Sequence, residues 1–113
     1  MTRVALTDGS GAWFDTGKAV KFSEATYWNG SNHISKATGS QWNHEASYCT
    51  ASQKWVKNCW SQYQNSVESY ELVDQAEAVR WLCCQEIFSG EQFDQLPEAV
   101  REAVLSGMES LEV

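Results

Sequence analysis

Proline is almost absent from this chain, because its 113 residues include only Pro97. A proline-rich linker or disordered segment is therefore excluded. No stretch approaches the roughly 20 apolar residues that a membrane-spanning helix needs. The apolar run near the N-terminus is also too short for a secretory signal peptide. We therefore expect a cytoplasmic protein without a membrane segment, folded as one domain over residues 1–113.

Basic residues are scarce after Ser66. Residues 67–113 contain eleven acids and two bases, whereas residues 1–66 contain four acids and six bases, and the whole chain has a formal net charge of −7. Nucleic-acid binding relies on Lys and Arg to neutralise phosphates, so we do not expect direct contact with nucleic acid. The acidic surface either keeps a small protein soluble or docks onto a partner protein with a basic surface.

Motifs for metal binding and catalysis are also missing. His33, His44, Cys49 and Cys59 have irregular spacings, without the Cys-x-x-Cys pairs of zinc sites. No serine lies in a Gly-x-Ser-x-Gly elbow, and Asp15–Lys18 does not fit a phosphate-binding loop. Without a secretory signal, we expect the four cysteines to be free thiols. We therefore assign no catalytic residue, no metal site and no cofactor, and an enzymatic role is left open.

Short strands are predicted for residues 1–73. The clearest one places Trp42, His44 and Tyr48 on one face by strict alternation with polar residues. Asn29-Gly30 is a strong hairpin signal between strands predicted at 21–28 and 32–37. We expect five to seven strands, paired in sequence as an antiparallel meander.

Two helices are predicted for residues 74–113. Asp74 followed by Glu77 matches a capping box, and Pro97 suits the start of a second helix. Gly107 should weaken the last turn of that second helix. Strands followed by helices indicate the α+β class, with a twisted antiparallel sheet covered on one face by the two helices.

Three groups of residues are candidates for function. The first is an acidic, aromatic surface for a protein partner, comprising Glu86, Glu98, Glu102, Glu109, Trp60 and Tyr63. The second is a face for a small ligand or an enzymatic reaction, comprising Trp42, His44 and Trp55. The third is an apolar stripe that would make a homodimer instead of a monomer, comprising Val100, Val104 and Met108.

Several segments resemble small uncharacterised proteins of bacteria, phages and plasmids. These are Trp13–Asp15, the run HISKATGSQW at residues 33–42, and WSQYQ at residues 60–64, so the resemblance spans roughly residues 12–82. It implies no catalytic residue. What it implies is an inhibitor or adaptor of a mobile element, such as an anti-defence protein, that acts by contact with other proteins. The leading hypothesis is a non-enzymatic binding protein that docks an acidic face onto a nucleic-acid-handling complex.

Overall fold

A computed structural model describes residues 2–113 of the chain. It contains eight strands, a single 3-10 turn at Thr16–Lys18, two helices of ten or more residues and one helical turn between them. The strands are β1 (Arg3–Ala5), β2 (Trp13–Asp15), β3 (Val20–Ser23), β4 (Thr26–Trp28), β5 (His33–Ser35), β6 (Asn43–Cys49), β7 (Trp55–Ser61) and β8 (Ser69–Val73). The helices are α1 (Gln75–Cys84), the short α2 (Glu91–Asp94) and α3 (Glu98–Ser110).

The centre of the fold is a four-stranded antiparallel sheet in the order β3-β6-β7-β8. Cys49 pairs with Trp55 across the β6–β7 turn, and the same register brings His44 opposite Trp60. Since alternate residues point to opposite faces, His44 and Trp60 share one face while Cys49 and Trp55 share the other. The sheet therefore has two distinct sides.

The helices cover the side of the sheet that carries Cys49 and Trp55. Phe22 from β3 and Trp55 from β7 meet Leu82 of α1 and Val104 of α3 in the larger core cluster. Leu82 and Val104 are both fully buried. Two helices on one face of an antiparallel sheet confirm the predicted α+β class.

A smaller core cluster lies on the other side of the sheet. Leu6 and Phe14, from the separate β1–β2 hairpin, pack against Tyr48 and Val56 of the central sheet. The Phe14 and Tyr48 rings are 5.3 Å apart between centroids. This hairpin covers only part of that face, so the end that carries His44 and Trp60 is left for other segments.

The predicted start of the first helix is confirmed. The Asp74 side chain accepts a hydrogen bond of 2.7 Å from the Glu77 backbone N–H. Pro97 immediately precedes α3, where its missing N–H costs nothing. Gly90 has φ of 129°, which only glycine adopts easily, and it precedes the short α2.

The predicted meander is wrong in its first half. The expected strand at 21–28 is divided at Glu24 and Ala25 into β3 and β4, and only β3 joins the central sheet. β4 and β5 form their own hairpin around Gly30, which is inserted between β3 and β6. The break occurs because the Glu24 carboxylate and the Ala25 N–H are both engaged by groups elsewhere in the fold.

Gly107, which was predicted to weaken the last turn of α3, lies within the helix, and the helix continues to Ser110. A Cβ atom at this position would lie 3.3 Å from both methyl groups of Val79 in α1. A side chain at this position would therefore require Val79 to shift by a few tenths of an ångström. Two residues of the stripe predicted for a homodimer, Val100 and Val104, are buried in the chain's own core.

Candidate functional site

His44 and Trp60 lie side by side at one end of the central sheet. They are directly paired across β6 and β7, and their rings are stacked with centroids 5.5 Å apart and planes at 27°. His44 is largely buried, with 17% of its side chain exposed. This pair is the centre of the candidate site.

Glu24, which lies between β3 and β4, contacts His44 through its carboxylate. One carboxylate oxygen lies 2.5 Å from His44 Nδ1, and the other accepts hydrogen bonds from the Ser35 hydroxyl and the Glu45 backbone N–H. Only 8% of the Glu24 side chain is exposed. An ionised carboxylate only accepts hydrogen bonds, so the tautomer that fits this contact has Nδ1 of His44 as the donor.

The second imidazole nitrogen, Nε2 of His44, is buried and has no hydrogen-bond partner among the residues that the structure describes. Glu24 thus fixes the orientation of the ring, as a carboxylate does in many histidine sites. Ser35 also bonds to Glu24, so its hydroxyl is not paired with His44. The geometry thus provides an oriented histidine, and in the described part of the chain neither ring nitrogen is bonded to a hydroxyl or a thiol.

Two cavities share Trp60 and Ser61 as walls. The first, of about 380 Å³, is also lined by His44, Thr38, Cys59 and Val67, and we call it the His44 cavity. The second, of about 360 Å³, is also lined by Lys21, Tyr48, Asn58, Ser66 and Glu68, and we call it the Lys21 cavity. Both volumes are at the lower end of the range for small-molecule sites.

An exposed aromatic pair stands beside the His44–Trp60 stack. Trp42 precedes β6 and Tyr63 follows β7, and their ring centroids are 5.9 Å apart. Trp42 is 42% exposed and Tyr63 is 57% exposed. We call Trp42, His44, Trp60 and Tyr63 together the aromatic end. The sequence had placed Trp42 and His44 in the ligand group and Trp60 and Tyr63 in the partner group, whereas each ring pair in the structure joins one residue of each group.

Trp55 does not share a face with His44, contrary to its place in the predicted ligand group. It lies on the helix side of the sheet, 3% exposed, with its ring centroid 6.0 Å from that of Phe22. The register of β6 and β7 pairs Trp55 with Cys49, which is five residues from His44 along β6. Because side chains alternate along a strand, Trp55 and His44 point to opposite faces.

The predicted acidic residues lie on the helical side of the molecule. Glu98, Glu102 and Glu109 are exposed along α3, and none is in an ion pair within residues 2–113. Glu86 follows α1 and lies 3.4 Å from Lys36. The acidic group and the aromatic end are thus separate features of the surface.

Cys49 and Cys59 are poor nucleophiles. Burial raises the pKa of Cys49 to about 11, and burial together with the Glu45 carboxylate raises the pKa of Cys59. Cys49, Cys59, Cys83 and Cys84 are all free, as the sequence predicted. No group of three metal-ligating side chains is found in the part of the chain that the structure describes.

Four residues that line or support the site were not among the candidates from sequence. Glu24, Lys21, Asn58 and Glu68 reach it from three separate segments of the chain. The short β6–β7 turn is the signal that could have located Asn58, because it sets the register of both strands. Glu24 and Glu68 gave no comparable signal, since both lie just outside regular strands.

Comparison with known proteins finds no matching family model, no similar curated protein and no similar solved structure. The resemblance to proteins of bacteria, phages and plasmids therefore stays an expectation. Among residues 2–113, no helix has both the length and the apolar character needed to cross a membrane.

Proposed function

We propose that this chain is a small acidic binding protein that docks onto a protein partner with a basic surface. The observation that carries the proposal is the exposed Trp42–Tyr63 pair beside Trp60, on a molecule with a net charge of −7. In this role the aromatic end provides the specific contact. The acidic residues of α3 attract the partner.

The aromatic end has the composition of an interface anchor. Tyr and Trp are enriched among the few residues that contribute most of the binding energy in protein interfaces. Exposed rings gain hydrophobic burial when a partner covers them, and they lose little side-chain entropy. Trp60 is only partly exposed, and its ring stacks on that of His44.

The acidic residues favour a basic partner. Glu98, Glu102 and Glu109 are exposed and without ion pairs among the described residues, so their charge is not neutralised locally. Such a surface increases the rate of association with an oppositely charged protein and repels nucleic acid. Proteins that handle nucleic acids have basic grooves, so we propose that this chain acts on one of them as an inhibitor or adaptor.

The first test is affinity capture from host lysate with the tagged full chain, at low and at high salt. We expect a protein partner that is retained at low salt and lost at high salt. The partner is then purified, and its affinity for the wild-type chain is measured directly. Capture alone does not support the proposal, because acidic proteins also bind basic proteins non-specifically.

Matched variants separate specific binding from charge attraction. Tyr63→Ala and Trp42→Ala should each weaken binding about tenfold or more, as truncation of an interface anchor does. Trp13→Ala is the control, since Trp13 is 58% exposed but lies on the β1–β2 hairpin. If all three variants bind equally well, the aromatic end is not the contact.

The charge contribution is tested by the double reversal Glu102→Lys and Glu109→Lys. We expect a lower association rate and a weaker salt dependence than in the wild type. The control reverses Asp8 and Glu71, which changes net charge equally at exposed sites away from α3. Equal effects of both reversals would contradict a docking role for α3, because only the total charge would then matter.

A further inference from the structure

We infer that the Lys21 cavity binds a small zwitterion, a molecule with an ammonium and a carboxylate group close together, as in free α-amino acids. This inference goes beyond the proposed function. The Lys21 cavity and α3 are tested by different ligands and different variants.

The negative side of the cavity is a fixed carboxylate. Glu68 accepts a hydrogen bond of 3.1 Å from Asn58 Nδ2, and the same amide nitrogen donates to the Ser69 carbonyl at 3.0 Å. Asn58 is buried, with 3% exposed, so it cannot turn away. The side chain of Tyr70 is next to this carboxylate, and burial together with Glu68 raises the pKa of Tyr70 to about 12. Glu68 is therefore held in one orientation although it is exposed.

The positive side of the cavity is the Lys21 ammonium. It lies 5.7 Å from the centroid of the Tyr48 ring and 5.9 Å from that of the Trp60 ring, within the range of cation–π attraction. Within residues 2–113, no carboxylate lies within ion-pair distance of Lys21. The ammonium is thus placed by two aromatic rings, and its hydrogen-bond donors are available.

Two opposite charges that line one cavity without pairing to each other indicate the charge of the ligand. A simple anion would be attracted by Lys21 but repelled by Glu68, and a simple cation would meet the reverse. A zwitterion satisfies both groups, with its carboxylate towards Lys21 and its ammonium towards Glu68. Charge-assisted hydrogen bonds of this kind are the strong ones.

The rest of the cavity suits a ligand of amino-acid size. The volume of about 360 Å³ is small for a binding site. Trp60 and Tyr48 supply apolar surface for a short side chain, and Ser61 and Ser66 add hydroxyl groups at the rim. The cavity therefore combines two charged contacts with one apolar wall.

The test is a titration of the full chain with leucine, followed by nitrogen-15 NMR of the Trp60 indole and the Asn58 side-chain amide. We expect saturable shifts at both groups. N-acetyl-leucine lacks the ammonium and leucine amide lacks the carboxylate, so each should bind at least about tenfold more weakly. Glucose serves as a neutral ligand of similar size.

The charged groups are then removed one at a time. Glu68→Gln and Lys21→Met should each weaken leucine binding by about tenfold or more. The matched controls are Glu71→Gln, on β8 beyond Glu68, and Lys54→Met, in the β6–β7 turn, and both should bind leucine as the wild type does. Circular dichroism confirms that each variant is folded.

Three results would overturn the inference. These are the absence of saturable shifts, equal binding of the two capped derivatives and leucine, and binding of glucose alone. Reversal of Glu102 and Glu109 should leave leucine binding intact. Failure of this inference and failure of the proposed protein docking are therefore distinguishable.

Discussion

Gly107 of α3 faces Val79 of α1 in the core. A Cβ atom there would lie 3.3 Å from both methyl groups of Val79, which is itself 2% exposed. Alanine favours a helix over glycine by about 1 kcal/mol, but here its methyl group needs space that Val79 occupies. Local preference and packing therefore act in opposite directions at this residue.

A double-mutant cycle measures this opposition. We expect Gly107→Ala to lower the free energy of unfolding in the wild-type background, because the buried Val79 would have to shift to admit the new methyl group. In a Val79→Ala background the same change should raise it by up to about 1 kcal/mol, since the space is then available. Urea denaturation of the four proteins gives both values. The same sign in both backgrounds would contradict the close helix contact as the reason for glycine.

Residue-level prediction succeeded where the sequence pattern is local. The alternation in residues 42–48 correctly put His44 and Tyr48 on one face of β6. Trp55 was misplaced because its face depends on the length of the turn before β7. Glu24 was not predicted at all, since its contact with His44 joins residues 20 positions apart. Long-range polar contacts of this kind leave no periodic signal in a sequence.

The β4–β5 hairpin is an element that depends on a few contacts at its base. A two-stranded hairpin is marginally stable alone, and Tyr27 and Trp28 in β4 are both exposed. Its base is attached through the Ser35–Glu24 hydrogen bond, the Ala25 N–H to the Gln85 side chain, and the Lys36–Glu86 ion pair. Glu24 and Gln85 are buried, whereas the ion pair is exposed.

We expect Glu24→Ala to loosen this hairpin. The change leaves three donors without their acceptor, and an unsatisfied buried donor costs about 1–3 kcal/mol. Hydrogen exchange at the amides of β4 and β5 should accelerate about tenfold or more, while α3 changes less. Lys36→Met is the control, because an exposed ion pair contributes at most about 1 kcal/mol. Equal acceleration throughout the chain would show that Glu24 supports the whole fold.

The charges of α3 give an element-scale test of the helix dipole. Glu98 lies in the first turn, where a negative charge is favourable, and Glu109 lies in the last turn, where it is unfavourable. Both side chains are exposed and belong to the same helix. They therefore form a matched pair that differs in position along the dipole.

Glu98→Lys should lower the free energy of unfolding, and Glu109→Lys should raise it. Each change is expected to be about 0.3–1 kcal/mol at low ionic strength, because helix-end charges contribute that much at exposed sites. Both effects should shrink when salt is added. Thermal denaturation at two salt concentrations measures them. If both variants are stabilised equally, relief of the net negative charge outweighs the dipole.

At the scale of the whole molecule, the sequence predicted the order of strands and helices and their class, but not the grouping of strands into three sheets. The helix caps and apolar stripes are local, so the start of α1 and both ends of α3 were predicted close to their true positions. The pairing of β3 with β6, across the inserted hairpin, is a non-local choice. It depends on buried contacts of Glu24 and Phe22 that only the folded chain brings together.

Alkaline pH should destabilise the whole molecule, because burial holds protons on two groups in the folded state. The pKa of Cys49 is raised from 9.0 to about 11, and that of Tyr70 from 10.0 to about 12. Below pH 9 both groups are protonated in the folded and the unfolded chain. Above it the unfolded chain releases protons first, so the free energy of unfolding falls as pH rises through this window.

Two variants show how much each group contributes to the loss of stability at alkaline pH. Cys49→Ala should reduce the slope of stability against pH between about pH 9 and 11, and Tyr70→Phe should reduce it between about pH 10 and 12. Each variant also lowers the free energy of unfolding by an amount that does not depend on pH. Cys49→Ala loses a packing contact of about methyl size, and Tyr70→Phe loses the hydroxyl next to Glu68. These losses shift the plot of stability against pH without changing its slope. Urea denaturation across this pH range separates slope from offset. Curves parallel to the wild type would mean that neither group holds its proton more tightly when folded. The burial that places these two side chains beneath the β1–β2 hairpin and the helices would then be looser than the structure shows.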